Sequence, residues 1–468
     1  MIDIQTKIHD KFSIEFKVGL VLRKKLDINE FNVAMWLFFP NGLDINPSSY
    51  TKNDFYRDVK SNVRLMTPHF HLAGIAGGEA IPLKNLKNAA RESREAFDFQ
   101  CKLFAAIVKS ALRNDTALIY KTEDEDTLKL AYTRFAENAK EILHGYESVR
   151  KLATSEIYEY CGEFICNKIE KLSFRVMEHI RKDGRYPELI ELYTETVREV
   201  NEYQKKHGYA TLSKKNPQGN SDYIYRHSVL KKIVESQLYL RAPKKRDGAL
   251  VEQAYYSIAA GLAMLFATVV AWSFQRTFGN LTWPLFIALI ISYMMKDRIK
   301  ELMRFYFSHK MGSRYFDKKA KMILREQEIG WLKEAMDFVP KDKIPQNILE
   351  IAGEKPVFEG EKLLTDAKVL LYRKRIHIDS EKLDAGTFYE SPGINDIMRL
   401  QVNNYLQKMD DPQTEASIIN AKGEQEQLLC NRYYYINVVI QYEHFDQIDN
   451  LHFRIKLSKD GISELVEV

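Results

Sequence analysis

The feature that most constrains this chain is a pair of long central segments without formal charge. The first lies between Glu252 and Arg276 and covers 253–275, and the second lies between Arg276 and Lys296 and covers 277–295. An α-helix rises about 1.5 Å per residue, so helices of these lengths can cross a hydrocarbon core of about 30 Å. Apolar residues surround both predicted helices, which favours a transmembrane hairpin over a buried hairpin in a soluble core.

The second run begins with polar residues, which leaves two interpretations. It can span the membrane with residues 277–280 at the interface, or it can dip into the membrane and return. Aromatic residues typical of membrane interfaces lie near the ends of both runs: Tyr255, Tyr256, Trp272, Trp283 and Tyr293.

The distribution of Lys and Arg predicts the orientation of the hairpin. Both flanks are rich in these residues, whereas Arg276 is the one basic residue between the runs. The positive-inside rule therefore predicts a multi-pass cell-membrane protein with both soluble parts and both termini in the cytoplasm. The N-terminal residues contain no apolar core, so we expect no signal peptide.

The excess positive charge lies next to the membrane. Residues 296–325 contain ten Lys/Arg and three Asp/Glu, a net charge of +7, whereas the whole chain carries +5 and the remainder therefore −2. Anionic lipid head groups are the predicted partner, together with the bilayer itself, and no nucleic acid is expected. We predict that eight basic residues contact lipid: Arg241, Lys244, Lys245, Arg246, Lys296, Arg298, Lys300 and Arg304.

A second helical pattern follows the second run. Its apolar residues share one helical face: Met295, Ile299, Leu302, Met303 and Tyr306. This pattern predicts a basic juxtamembrane helix over 296–335 that runs along or out of the membrane. The alternative is a solvated helix whose apolar stripe packs on the cytosolic domain.

Small residues repeat every four positions along both runs. They are Ala259, Ala263, Ala267 and Ala271 in the first run and Pro284, Ala288 and Ser292 in the second. Such stripes let helix backbones approach closely in lipid. We favour packing of the two helices against each other over self-association of the protein through the alanine face.

The first half of the chain changes from a strand pattern to a helix pattern. Within a β-containing region, 1–82, strict apolar alternation predicts two antiparallel strands at 12–22 and 31–39. Four apolar stripes then predict an antiparallel helical bundle over 83–245. The stripes lie within 97–111, 128–149, 161–180 and 190–200, and a polar loop over 209–228 and a short helix over 229–240 lead to the hairpin at 253–295.

A C-terminal α+β domain is predicted over 336–468. It contains a strand at 369–378, a helix at 394–408 and a strand meander after 436. The predicted fold class is α+β, with a two-helix transmembrane hairpin between an N-terminal strand-plus-helical-bundle domain and this domain. The N-terminal strands and the meander could also form one sheet across the hairpin.

Motifs for chemistry are weak. His69 and His71 place two imidazoles on one face of an extended segment, but a metal site needs a third ligand, so we interpret them as ordinary surface histidines. The glycines within 74–78 lack the spacing of a phosphate-binding loop. The basic triplet 373–375 fits phosphate contact or a protected edge strand equally well. We therefore predict no metal and no cofactor.

The cysteines do not suggest a disulfide scaffold. Four in a chain of this length are too few, and a cytoplasmic location would keep them reduced. We predict that Cys101, Cys161, Cys166 and Cys430 are free, and that Cys101 and Cys161 pack in the core because they fall on apolar stripes.

Two classes of function remain. The first is a membrane-anchored scaffold, sensor or assembly module that binds a protein partner or self-associates. The second is a membrane-tethered cytoplasmic enzyme with an unrecognised site, for which His69, His71 and Glu79 are the candidates. The mean hydropathy of −0.37 places most of the chain in water, and neither run has an internal charge to line a path, so a transporter or channel is disfavoured.

Overall fold

Strands that precede the central hairpin pair with strands that follow it. The computed structural model describes residues 2–23, 26–77, 80–153, 155–214, 216–279, 282–312, 316–353, 368–444 and 447–468, and the fold is mixed α+β. Its strands are β1 (Ile2–Asp10), β2 (Ser13–Val21), β3 (Ile28–Phe39), β4 (Val59–Leu65), β5 (Lys244–Arg246), β6 (Lys318–Leu324), β7 (Gln327–Val339), β8 (Lys368–Asp379), β9 (Gly393–Gln401), β10 (Gln413–Ile419), β11 (Gln425–Asn431), β12 (Tyr434–His444), β13 (Gln447–Ser458) and β14 (Gly461–Glu467).

The largest sheet is antiparallel and has the strand order β14-β13-β12-β3-β8-β7-β6-β5. Strand β3 lies at its centre, where Met35 is the register partner of Ile440 on one side and Tyr372 on the other. The alternating apolar residues of β3 are buried, as the period of two requires. The predicted strands at 31–39 and 369–378 and the C-terminal meander are therefore confirmed, and of the two predicted N-terminal strands only β3 shares a sheet with the meander across the hairpin.

The second sheet has the order β1-β2-β9-β4, and it corrects one predicted pairing. Strand β2 pairs with β1 and β9, not with β3. Nearly all of β2 is buried, so both of its faces are covered, and Phe16 faces Met398 of β9 across the ladder. A separate antiparallel ribbon is formed by β10 and β11.

The predicted helix at 394–408 is wrong. Residues Ile394, Asp396, Met398 and Leu400 are buried at every second position, which is the period of a strand, and they belong to β9. Only a short helix follows the strand. The Asp396 carboxylate interrupts the apolar alternation on the buried face of β9, so hydrophobicity alone does not predict this strand.

The helices are α1 (Lys52–Asp58), α2 (Ala73–Ala76), α3 (Ile81–Glu92), α4 (Arg94–Lys121), α5 (Glu125–Glu147), α6 (Ile157–Asp183), α7 (Leu189–Lys206), α8 (Pro217–Glu235), α9 (Ala249–Phe278), α10 (Trp283–Gly312), α11 (Gln346–Gly353), α12 (Ser380–Thr387) and α13 (Asn403–Leu406). The four predicted stripes coincide with α4 to α7, which confirms those helices. Ser93 and Asp124 cap α4 and α5 by accepting from the backbone N–H groups of Ala96 and Thr127.

The helices pack around stacked aromatic rings. Tyr146 of α5 and Tyr158 of α6 stack with their centroids 4.4 Å apart. Each hydroxyl donates to the other residue's carbonyl oxygen, at 2.8 and 2.6 Å, so these buried polar groups are satisfied. Buried apolar side chains form one continuous cluster that joins this bundle to both large sheets.

Two further predictions need correction. The predicted loop over 209–228 becomes helical at Pro217, which occupies the first helical position after the cap Asn216. The predicted basic helix over 296–335 ends at Gly312 and gives way to β6 and β7. Buried Ala320, Met322 and Leu324 alternate with exposed Lys321 and half-buried Ile323, which is the period of a strand.

Candidate functional site

Helices α9 and α10 form an antiparallel hairpin. Gly279, with φ of 78°, ends α9 in a conformation that favours glycine. The Ser292 hydroxyl donates to the Ala267 carbonyl oxygen at 3.3 Å, and the Arg304 guanidinium lies 5.0 Å from the ring centroid of Tyr256. As the numbering rises along α10, the partner on α9 therefore moves back towards its N-terminus.

Small residues form the contact between the two helices. Ala259 and Ala263 of α9 and Ala288 and Ser292 of α10 are buried. The predicted packing role of the two stripes is thereby confirmed, except that Pro284 is exposed. The alanine face is occupied within one chain, which is the simpler of the two interpretations of these stripes.

The remaining faces of the hairpin are apolar and exposed. Trp283, at the tip end of α10, is 77% exposed, and Met294, at the other end of its apolar part, is 64% exposed. Further large apolar side chains are exposed along both helices. In the described part of the chain, α9 alone combines the length and apolarity needed to cross a membrane, and only 11% of its most apolar window is buried. The described parts of this chain therefore leave most of α9 uncovered.

The basic residues of α10 begin directly after this apolar part. The Lys296 ammonium lies 3.9 Å from the ring centroid of Tyr293, and its nearest carboxylate, on Asp297, is 4.0 Å away. Arg298 pairs with Glu301 at 3.5 Å in an exposed contact. Lys300 is half-buried and Arg304 is exposed. These four predicted lipid-contacting residues remain near the surface of the hairpin.

The base of the hairpin is closed by the strand pair β5–β6. Arg246 and Lys318 are register partners, and the backbone N–H of Asp247 donates to the Asp317 carbonyl oxygen at 3.3 Å. The two helices therefore leave the body from adjacent points at one edge of the large sheet. Lys245 and Lys319 are also register partners, which concentrates positive charge at this base.

The four basic residues before α9 differ in their surroundings. Arg241 is exposed and pairs through its backbone with Ile323, and Lys245 is exposed. Arg246 forms an exposed ion pair with Glu252 at 2.9 Å. Lys244 instead reaches the fully buried carboxylate of Glu334 at 2.8 Å. This contact directs the Lys244 ammonium into the protein, and the lipid contact predicted for Lys244 stays a prediction.

Buried ion pairs surround Lys244. The Tyr372 hydroxyl donates to Glu334 at 2.9 Å, and Glu334 is the register partner of Lys374 on β8. The Lys374 ammonium binds both carboxylate oxygens of Asp396 at 2.6 Å and the Ser61 hydroxyl at 2.6 Å. Burial lowers the pKa of Lys244 and raises the pKa of Tyr372 well above its ordinary value. We refer to Lys244, Glu334, Lys374 and Asp396 as the inter-sheet ion cluster.

The basic triplet 373–375 is engaged within the protein. Strand β8 lies between β3 and β7, so the interpretation as an edge strand is wrong. Arg373 pairs with Asp337 at 3.1 Å and Arg375 with Glu30 at 2.8 Å. These contacts neutralise the positive charge that phosphate contact would require.

The histidine motif lies on the surface. His69 and His71 are exposed, their rings are 5.4 Å apart, and His71 lies 3.7 Å from the Asp115 carboxylate. Among the described residues, no group of three or more potential metal ligands occurs. Glu79 lies outside the described residues, so the candidate catalytic set cannot be assembled around it.

The cysteines are all free, as predicted. Cys101, Cys161 and Cys166 are buried, whereas Cys430 on β11 is exposed. Burial raises the pKa of the three buried thiols, which suits apolar packing better than nucleophilic chemistry.

Sequence reasoning missed the inter-sheet ion cluster because its members are far apart in the chain. One usable signal was present: Asp396 occupies an apolar position in a period-two pattern, and a buried carboxylate requires a cation. The partner Lys374 could not be identified without the strand order. Comparisons of the chain with protein-family models, with curated proteins and with solved structures find no match, so the contacts described above carry the functional argument.

Proposed function

We propose that this protein is anchored in the cell membrane by α9 and α10 as a pair of transmembrane helices, with its α+β body in the cytoplasm. In this role it is a scaffold, sensor or assembly module. The exposed apolar surface of the hairpin supports the proposal. Surfaces of this kind are rare on soluble monomers, and hydrocarbon is the environment that removes them from water.

The observation that carries the proposal is the pairing of strands across the hairpin. β3 and β4, which precede α9, pair with β8 and β9, which follow α10. The chain must therefore return to the side from which it left, and if α9 crosses a membrane, α10 must cross it back. This argument supports two spans although α10 is the less apolar helix.

The charge pattern supports the cytoplasmic side for the body. Lys245 and Arg246 at the base, and Arg298 on the proximal part of α10, are exposed and available to anionic head groups. Arg276 is the one basic residue at the tip. The positive-inside rule then assigns the base to the cytoplasm.

A single charged substitution tests insertion. Ile290 lies midway along the apolar part of α10 and is 46% exposed. If the hairpin is in water, Ile290→Asp should therefore change the free energy of the protein little. In a bilayer centre it should cost about 3 kcal/mol, or roughly a hundredfold in partitioning. The matched control Leu118→Asp, at a 56% exposed position on α4, should have no effect. Equal carbonate extraction of both variants would contradict the proposal.

A deletion designed at the sheet edge gives the complementary test. Because the Asp247 N–H bonds to the Asp317 carbonyl, residues 248–316 can be replaced by Asn-Gly, which closes β5 and β6 with a tight turn. We expect this variant to be soluble, whereas the full chain stays in the membrane after high-salt and carbonate washing. Release of the full chain by salt alone would show that the hairpin is not inserted and that the protein only binds the membrane surface.

Thiol labelling tests orientation. In a Cys430→Ser background, the remaining cysteines are buried, so a single introduced cysteine reports its own location. Thr277→Cys at the tip should react with an impermeant reagent on intact cells, whereas Lys245→Cys at the exposed base should react only after lysis. The opposite pattern would place the body outside the cytoplasm.

The β10–β11 ribbon supports the scaffold role. Its residues are almost all exposed, and Ala416, Ile418, Leu428 and Cys430 alternate on one face. An isolated two-stranded ribbon is marginally stable in water, so a protein contact on this face would stabilise it.

A further inference from the structure

The contacts between the two helices fix which residues lie at the same depth. Ser292 contacts Ala267, and Arg304 contacts Tyr256, so residue numbers of level positions add up to about 560. By this relation Lys296 is level with residues 263 and 264 of α9. The register reveals a feature that neither uncharged run shows by itself.

The fully apolar part of the hairpin is short. Although α9 is uncharged from 253 to 275, its first ten of these residues lie beside the charged residues of α10 beyond Lys296. Both helices are free of charge together only over 265–275 and 285–295. Eleven helical residues extend about 16–17 Å, compared with about 30 Å for a typical hydrocarbon core.

The ends of this short belt have the side chains of two membrane interfaces. At the base, the Lys296 ammonium lies over the Tyr293 ring, 3.9 Å from its centroid. At the tip, the Arg276 guanidinium lies 5.8 Å from the Trp272 ring centroid, and Trp283 is exposed. Aromatic rings with adjacent basic groups are typical of head-group level, so the polar tip is suited to the opposite interface and not to the bilayer centre.

We propose that the hairpin fits a bilayer whose hydrocarbon region is thin, about 20–25 Å once Lys296 and Arg276 extend their side chains to the two interfaces. This inference rests on the proposed membrane insertion. In a thicker bilayer the hairpin stands nearly upright, and either the lipid around it becomes thinner or the tip does not reach the aqueous phase on the far side. Its preferred partner is therefore a membrane with short acyl chains or a locally thinned region.

Tip exposure in vesicles of different thickness tests the proposal. The full chain, carrying Cys430→Ser and Thr277→Cys labelled with bimane, is reconstituted in dimyristoleoyl, dioleoyl or dierucoyl phosphatidylcholine. Aqueous iodide on both sides should quench the tip strongly in the thinnest bilayer and at least about threefold less in the thickest. Wild-type protein labelled at the exposed Cys430 is the control, and its quenching should be equal in all three lipids.

A change of belt length makes the test specific. Replacement of Lys296, Asp297, Arg298 and Lys300 together by Leu extends the apolar part by about five residues towards the base, so maximal tip quenching should extend to dioleoyl vesicles. The matched control Lys296→Arg with Lys300→Arg keeps the charges and should behave as the parent. Equal tip quenching in every lipid, or a tip protected in all three, would overturn the inference. Failure to float with any vesicle would instead refute membrane insertion itself.

Discussion

The inter-sheet ion pair Lys374–Asp396 predicts a large and asymmetric response to mutation. Lys374 lies on β8 of the large sheet and Asp396 on β9 of the smaller sheet, so this pair joins the two sheets. Both side chains are 3% exposed, and the ammonium contacts both carboxylate oxygens at 2.6 Å. Asp396→Asn removes the charge of one partner with almost no change in volume.

The magnitude follows from the burial of both groups. Asp396→Asn leaves the Lys374 ammonium with the Ser61 hydroxyl and an amide oxygen, and breaking a buried pair in this way costs about 3–5 kcal/mol. The double variant Lys374→Met with Asp396→Leu removes both charges and the associated desolvation penalty. It should therefore be closer to wild type than Lys374→Met alone or Asp396→Leu alone, the two single variants of the cycle, and within about 1 kcal/mol of wild type if the apolar side chains pack well.

Chemical unfolding of the full chain in detergent micelles provides the assay. The signal is the fluorescence of Trp36 on β3 and Trp331 on β7, both in the large sheet, with Trp272→Phe and Trp283→Phe removing the hairpin background. The double-mutant cycle should give a favourable coupling energy of several kcal/mol. Additive losses in the double variant would refute the reasoning, because they would show that the two charges stabilise the sheets independently.

Three further outcomes are expected. Lys168 is buried, its contacts are the neutral His227 ring at 3.1 Å and the face of Phe164, and burial lowers its pKa to about 8. The unfolded chain binds more protons than the folded one between pH 8 and the ordinary lysine value, so stability should rise with pH in that window. Lys168→Met should abolish this rise and stabilise the protein at pH 7 by roughly 1–2 kcal/mol after allowance for solvent screening, as measured by denaturant titration at several pH values. His69→Ala with His71→Ala should leave the metal content of the purified protein unchanged, and loss of a stoichiometric metal would revive the enzyme hypothesis. If the ribbon mediates self-association, one of a series of bifunctional maleimides with increasing spacer length should cross-link Cys430 of two copies in the membrane. No cross-link at any spacer length would exclude that contact.

Local periodicity was sufficient for the elements whose buried face is purely apolar. The four long helices α4 to α7 follow their stripes, and β3 and β12 follow their alternation, because burial of one continuous face determines each of them. The same pattern identified α9 and the small residues with which it contacts α10.

Elements with a charge on the buried face were misassigned. Strand β9 has Asp396 at an apolar position, and β6 begins with Lys318, which is half-buried on the same face as Ala320, Met322 and Leu324. In both, the true period of two becomes clear only when a partner strand supplies the opposite charge or covers the alkyl stem. The inward direction of Lys244 has the same cause, since Glu334 lies ninety residues away in sequence and is brought close only by the strand order.

Strand pairing constrains the membrane topology more strongly than the basic residues do. The positive-inside rule is a statistical bias that a few charges can reverse, whereas the hydrogen bonds of β3 with β8 and of β5 with β6 require both halves of the chain on one side. A topology in which only α9 crosses would separate β5 from β6 and divide the central sheet at β3. Two spans or none are therefore compatible with the fold. The exposed apolar faces of the hairpin favour the proposed two spans over no span, because exposing these faces to water costs free energy. The charges then need to determine only which side the intact body occupies.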